Sequence, residues 1–199
     1  MVVLGISGSL RADSFNTALL RAAAGLLPPA ARLPLYTDLA RVPPYSENLD
    51  VEPAPPPVER LRAGIETADA LLIATPEYNA SIPGQLKNAL DWVSRPYPGN
   101  ALRQKPVAVV GASTGLFGAV WAQAELRKVL ATAGADVLDD ELPIGNAHEA
   151  FDDNLTLADH ELSARLEHIL ASLLTRAVSG SARRPTASAA PASAGCGSA

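Results

Sequence analysis

Three stretches of this chain, Val2–Ser7, Ala70–Thr75 and Val107–Ala112, are apolar almost without a break. Continuous apolar runs of this length suit central strands of a parallel sheet covered on both faces. Two further runs are less pure. Arg32–Asp38 contains Pro34, and the segment from roughly Asp136 to Leu142 contains Asp139 and Asp140, so both belong at sheet edges. Between the runs the apolar period changes to that of a helix. Leu19, Leu20, Ala23 and Leu27 form one stripe, behind Ser14 as a cap. Val58, Leu61 and Ile65 form a second, after the proline-rich loop Pro53–Pro57. Leu86, Ala89, Leu90 and Val93 follow Pro83, which suits a first helical turn. Leu126, Val129, Leu130 and Ala133 make a fourth stripe, and Leu162, Leu166, Ile169, Leu170 and Leu173 a fifth.

Strands alternating with helices predict an α/β fold, a doubly wound five-stranded parallel sheet. With the second strand at an edge, the order is the flavodoxin-like 2-1-3-4-5. That order places a ligand outside the carboxyl ends of the strands, where the first and third diverge. The polar clusters follow this rule. They lie after the first strand (Ser7 to Asn16), the third (Thr75 to Ser81) and the fourth (Ser113 to Gly118), so three loops distant in sequence meet at one sheet edge.

Each loop has its own chemistry. Gly8-Ser9-Leu10-Arg11-Ala12-Asp13-Ser14-Phe15-Asn16 joins a strand to a helix start. Backbone N–H groups, serine hydroxyls and the helix dipole can hold a phosphate there, and Arg11 adds a permanently charged fork. No Gly-Lys-Ser/Thr follows, and Gly5-x-x-Gly8 lacks the dinucleotide spacing, which favours a monophosphate. The loop Thr75-Pro76-Glu77-Tyr78-Asn79-Ala80-Ser81-Ile82-Pro83 is stiffened by proline near both ends and carries an aromatic ring. It suits a flat heterocycle with polar edges. Glu77 either binds backbone N–H groups to fix the loop or contacts the ligand. In the third loop, Gly115 and Gly118 would let backbone approach a ligand closely. A phosphate at one end and an isoalloxazine at the other together describe FMN.

Composition narrows the function further. A chain of 199 residues suits one domain, and its net charge of −5 disfavours nucleic acid or an anionic membrane as a main partner. No run approaches the ~18 apolar residues of a transmembrane helix. The N-terminus begins with a strand pattern in place of a basic leader, and Cys196 is the single cysteine. Both lead to the expectation of a reducing cytoplasm. No His, Cys and carboxylate spacing suggests a metal site. Domain 1–178 is expected to be followed by a disordered tail, 179–199, which contains no Leu, Ile, Val or Phe.

The motifs Gly8-Ser9-Leu10-Arg11-x-x-Ser14-x-Asn16 and Pro76-Glu77-Tyr78-Asn79 resemble those of the NADPH-dependent FMN reductase family. The second continues into Ser81-x-Pro83-Gly84-x-Leu86-Lys87-Asn88-Ala89-x-Asp91-Trp92, and Gly111-Ala112-Ser113-x-Gly115-x-x-Gly118 adds a third match. The similarity covers roughly residues 1 to 155. The resemblance implies that Ser9, Arg11, Ser14 and Asn16 hold the FMN phosphate. Pro76, Glu77, Tyr78 and Asn79 would line the ribityl and ring region, with Ser113 and Gly115 on the other side. It implies NADPH as electron donor, a ping-pong cycle to a flavin, quinone, chromate or azo acceptor, and no catalytic protein residue, because the flavin carries the hydride chemistry. It also implies a homodimer or homotetramer, with Lys87, Asn88, Asp91 and Trp92 on a helix at the interface. His148 is expected on a surface loop, and His160 and His168 as structural residues of the last helix. The rival readings are a flavodoxin-like electron carrier and a flavin-binding redox sensor.

Overall fold

The computed structural model describes residues 1–181. The central strands are β1 (Val3–Ser7), β3 (Ala70–Ala74) and β4 (Pro106–Ala112), flanked by the two-residue strands β2 (Leu35–Tyr36), β5 (Asp136–Val137) and β6 (Pro143–Ile144). Every pairing is parallel, in the order β2-β1-β3-β4-β5, with β6 also on β4. The helices are α1 (Phe15–Leu26), α2 (Pro56–Thr67), α3 (Gly84–Val93), α4 (Val120–Thr132), the short α5 (Ala147–Ala150) and α6 (His160–Ser181). The fold is flavodoxin-like, as the order of elements predicts.

Alternation along the strands builds two cores. Val3, Leu72, Ala108 and Val110 pack with α1 and α6 on one face. Leu4, Ile6, Leu71, Ile73, Val107 and Val109 pack with α2, α3 and α4 on the other. Successive residues of a strand point to opposite faces, so runs covered on both sides have to be apolar at every position. The helical stripes face these layers, with Leu27, Val129, Ala133 and Leu162 only half-buried at their margins.

The edges differ from the sequence expectation. Arg32–Asp38 shrinks to two paired residues plus an isolated bridge between Val2 and Arg32. Pro34 has no N–H to extend the ladder, although its carbonyl still accepts from Gly5. The expected strand Asp136–Leu142 is broken. Leu138 and Leu142 are both buried, but the acidic run Asp139-Asp140-Glu141 between them cannot enter the core. β5 therefore pairs with the start of β4 at Pro106 and Val107, and β6 with its end at Gly111 and Ala112.

Of the α3 residues that the resemblance puts at an interface, Trp92 is fully buried within the chain itself. Its Nε1 donates to Pro43 O at 2.8 Å, and its ring meets Tyr45 edge-on at 5.0 Å. Asn88 holds the same segment, accepting from Tyr45 N at 2.7 Å and donating to Pro43 O at 2.8 Å. Lys87 and Asp91 stay half-exposed and pair with each other at 2.6 Å. The buried Lys105 donates to the Glu66 and Ala68 carbonyls at the end of α2, where a cation suits the helix dipole. Residues 179–181 continue α6; the remainder of the expected tail, 182–199, lies outside the described residues. Among the described residues no helix is long and apolar enough to cross a membrane.

Candidate functional site

The loops after β1, β3 and β4 meet at the carboxyl edge of the sheet around a cleft of about 280 Å³. Its walls are Ser9, Arg11, Ser14, Phe15 and Asn16 from the first loop and α1, Pro76, Glu77 and Tyr78 from the second, and Ala112, Ser113 and Thr114 from the third. Eight of the ten site residues expected from the sequence come together here. Asn79 and Gly115 do not line it. Phe15, Ala112 and Thr114 are not among the expected site residues, although all three lie within the spans of the motifs. A hollow of similar size beside α6 is bordered by Asp140, Glu141 and Glu161 together with Arg165 and His168, and none of the ten expected site residues lines it.

The first loop winds around one hydroxyl. Ser7 Oγ donates to Ser9 O at 3.2 Å and accepts from Ser9 N at 3.3 Å and from Thr17 Oγ1 at 2.9 Å. Space is tight at Gly8, where a Cβ would lie 2.9 Å from the end of the Leu86 side chain and 3.3 Å from Pro76. Ser14 caps α1, accepting from Thr17 N at 3.3 Å. That role leaves its hydroxyl hydrogen free to donate. The first turn of α1 holds no acidic residue, so its positive dipole end is unopposed. Arg11 is exposed, and its guanidinium donates to Asp13 O at 3.3 Å. No carboxylate among the described residues pairs with it.

Asn16 lines the cleft, with both atoms of its amide engaged by backbone. It is buried, its Nδ2 donating to Ala112 O at 2.9 Å and its Oδ1 accepting from Ala112 N at 3.0 Å. β3 has ended by this level, so the Asn16 amide stands in for the peptide group of a neighbouring strand. It shapes the cleft floor and ties the first loop to the third.

In the second loop Tyr78 and Ser81 exchange backbone hydrogen bonds of 3.0 and 3.1 Å. The two residues between them, Asn79 and Ala80, have φ of 53° and 59°, as a two-residue hairpin turn of the primed kind needs. Tyr78 is half-exposed beside the cleft. Glu77 takes the backbone-binding alternative, but across the site: its Oε2 accepts from Trp121 N at 3.0 Å and Ala122 N at 3.1 Å, at the start of α4.

The third loop is held from outside. Ser113 N donates to Ile144 O, Ala147 N to Ser113 O and Asn146 N to Gly115 O. The close approach expected of Gly118 is made to protein. Its φ is +59°, and a Cβ there would lie 2.5–2.7 Å from the backbone of Pro143, Ile144 and Gly145. Gly115 lies outside the cleft and has room for a side chain. His148, His160 and His168 are exposed and away from the cleft.

A parallel doubly wound sheet with an anion cradle after β1 and an aromatic loop after β3 defines a flavodoxin-like mononucleotide-binding protein. Comparison with known proteins makes the class narrower: the chain belongs to the NADPH-dependent FMN reductase family, which it matches over residues 1–149. It is 45% identical to a NAD(P)H-dependent FMN reductase of Pseudomonas aeruginosa over 172 residues, 86% of this chain and 92% of that protein. A 2-hydroxy-1,4-benzoquinone reductase from a Burkholderia species is 44% identical over 126 residues, 63% of this chain and 68% of the relative. Among solved structures, the flavoenzyme NAD(P)H:(acceptor) oxidoreductase of Paracoccus denitrificans has a TM-score of 0.81 at 35% identity, covering 90% of this chain and 98% of that one. The chain is thus an enzyme of an FMN-dependent family whose electron donor is NAD(P)H. The cleft fits that cofactor. Two serine hydroxyls, an unpaired guanidinium and an unopposed helix N-terminus suit a phosphate dianion.

Proposed function

We propose that this protein passes electrons from NADPH through FMN to a flavin, a quinone or a similar small acceptor, by a ping-pong cycle. The observation that carries the reading is Arg11. A guanidinium without a carboxylate partner stands beside Ser9 and Ser14 at a helix N-terminus, in the same cleft as Tyr78. When bound, FMN supplies the hydride and electron chemistry. The chain supplies binding and orientation. Ser9, Arg11 and Ser14 hold the phosphate, and Asn16 fixes the backbone behind it. Pro76, Glu77 and Tyr78 line the ribityl and ring region, with Ser113 opposite. Asn79 and Gly115 act through the shape of their loops. No side chain is assigned as catalytic acid or base, and no metal is invoked.

A cleft of about 280 Å³ is at the small end of ligand pockets. The reading therefore leaves one face of the ring open to the donor and then the acceptor in turn, as a ping-pong cycle requires. Leu116, Phe117 and Trp121, 71%, 59% and 50% exposed near this edge, support a homodimer or homotetramer. A cytoplasmic location accords with the single cysteine.

The test is an anaerobic titration of the FMN-reconstituted protein with NADPH, followed in the flavin's visible band. Rapid bleaching, then recovery when a quinone is added, is the expected result. A bound flavin that NADPH leaves oxidised would refute the reductase and point to an electron carrier or sensor.

A further inference from the structure

The hydroxyl at the start of the first loop has no capacity left for a ligand. A serine hydroxyl has one hydrogen to donate and two lone pairs. Ser7 Oγ gives its hydrogen to Ser9 O at 3.2 Å and accepts from Ser9 N at 3.3 Å and from Thr17 Oγ1 at 2.9 Å. Thr17 is therefore the donor in the shortest of the three contacts. A serine that holds the amide two residues further on bends the chain locally. Beyond that bend, the N–H groups of Leu10, Arg11 and Ala12 donate to no protein group among the described residues. Successive amides of this kind suit an anion.

Thr17 is the third residue of α1, and it grips the loop at both ends. Its hydroxyl holds Ser7, ten residues back, and its N–H donates to Ser14 Oγ at 3.3 Å. Ser9 and Ser14 line the cleft, whereas Ser7 and Thr17 do not. A half-buried residue behind the cleft thus ties together the two serines that face into it: Ser14 directly, and Ser9 by way of Ser7.

We propose that Thr17 is a positioning residue for the phosphate of FMN. Its hydroxyl fixes the Ser7 hydroxyl, which fixes the backbone of Ser9, and so sets the shape of the cradle without touching the ligand. The proposal rests on the reading of this loop as the phosphate end of the FMN site. Without the Thr17 hydroxyl the loop samples other courses, and the apparent affinity for the phosphate falls with the fraction of molecules that hold the binding one. The rest of the flavin is bound by other loops and is unaffected.

The experiment measures dissociation constants for FMN and for riboflavin, the same flavin without its phosphate, in the parent protein and in Thr17→Val, Thr17→Ser and Ser7→Ala. Valine keeps the branched shape and a similar helix propensity and removes only the hydroxyl. The expected result for Thr17→Val is FMN binding weakened about fivefold, the worth of one hydrogen bond, with riboflavin binding unchanged. Thr17→Ser keeps the hydroxyl and restores the FMN affinity. Ser7→Ala weakens FMN at least as much, again with riboflavin unchanged, and adding Thr17→Val to it has no further effect, because the influence of Thr17 runs through Ser7. Equal losses for both flavins in Thr17→Val would overturn the proposal, since a merely structural residue does not distinguish them. Full additivity of the two substitutions would overturn it too, by making Thr17 act independently of Ser7. If Thr17→Val folds poorly, Ser7→Ala decides: loss of FMN alone supports the proposal, and no loss or equal loss overturns it. A parent protein that binds both flavins equally removes the phosphate reading of the loop and the Thr17 role together. A parent that prefers FMN, with the whole preference kept in Thr17→Val, removes the Thr17 role alone.

Discussion

Replacing Asn16 with alanine tests how the cleft is held together. The substitution deletes two hydrogen bonds, of 2.9 and 3.0 Å, to the amide and carbonyl of Ala112. Ala112 is buried at the last position of β4, on the side where β3 no longer runs. Both of its backbone groups are then left without a partner. An unsatisfied buried polar group costs about 1–3 kcal/mol. Two such groups, softened by water entering from the cleft, give a loss of about 3 kcal/mol. This is a large share of a typical folding stability of about 5–15 kcal/mol. At about 2–4 °C per kcal/mol for a chain of this size, Tm falls by about 6–12 °C. Urea unfolding is the decisive assay, because a lower midpoint at an unchanged slope isolates stability from compactness. Asn16→Asp is expected to lose at least as much, since a carboxylate oxygen would then face the Ala112 carbonyl. A loss below about 1 kcal/mol would refute the reasoning. Intact stability with abolished FMN binding would return Asn16 to the direct phosphate role implied by the family motif.

Three other outcomes are expected. Arg11→Ala weakens FMN binding by about 1.5–3 kcal/mol, the worth of a charged hydrogen bond, without moving Tm; an unchanged dissociation constant in calorimetry removes Arg11 from the site. Ala80→Gly stabilises the fold by about 0.5–1 kcal/mol, because relief of a left-handed alanine exceeds the added entropy of glycine in the unfolded chain; thermal unfolding reads it directly. Tyr36 has its pKa raised above 10.0 by burial and then by Asp38, against the lowering effect of Arg60. The unfolded chain therefore ionises first, and the contribution of Tyr36 is intact below pH 10 and lost as pH rises toward the folded-state value. Tyr36→Phe flattens this alkaline decline in urea midpoints.

The parts of the fold legible in the sequence were those set by local pattern. β1, β3 and β4 are apolar at every position because both faces are covered, and the helical stripes follow from a period of 3.6. What escaped reading depends on distant partners. Trp92 is three residues from Ala89 and extends the buried stripe of α3, but its place is fixed by the Pro43 carbonyl, 49 residues away. Asn16 belongs to a phosphate motif, yet its amide is engaged 96 residues along the chain. The sequence leaves Glu77 a choice between backbone and ligand, and only the fold shows the backbone it holds, at Trp121 and Ala122. Gly118 shows how one residue type supports two explanations: its loop position suggested a ligand, and the segment it lies against is Pro143–Gly145.

The way the sheet ends has a consequence for behaviour at high concentration. One flank is a strand of two residues, and the other is divided between two such strands at opposite ends of β4. A second molecule approaching either flank finds no long row of free N–H and C=O groups to extend, and Pro34 interrupts one of the short rows. Short or interrupted edges are a known defence against sheet-to-sheet growth. A chain whose three longest strands are almost wholly apolar would be prone to aggregate if one of them were outermost. The acidic break at Asp139-Asp140-Glu141, which costs the sheet a full fifth strand, leaves a charged bulge on that flank and keeps the apolar strands inside.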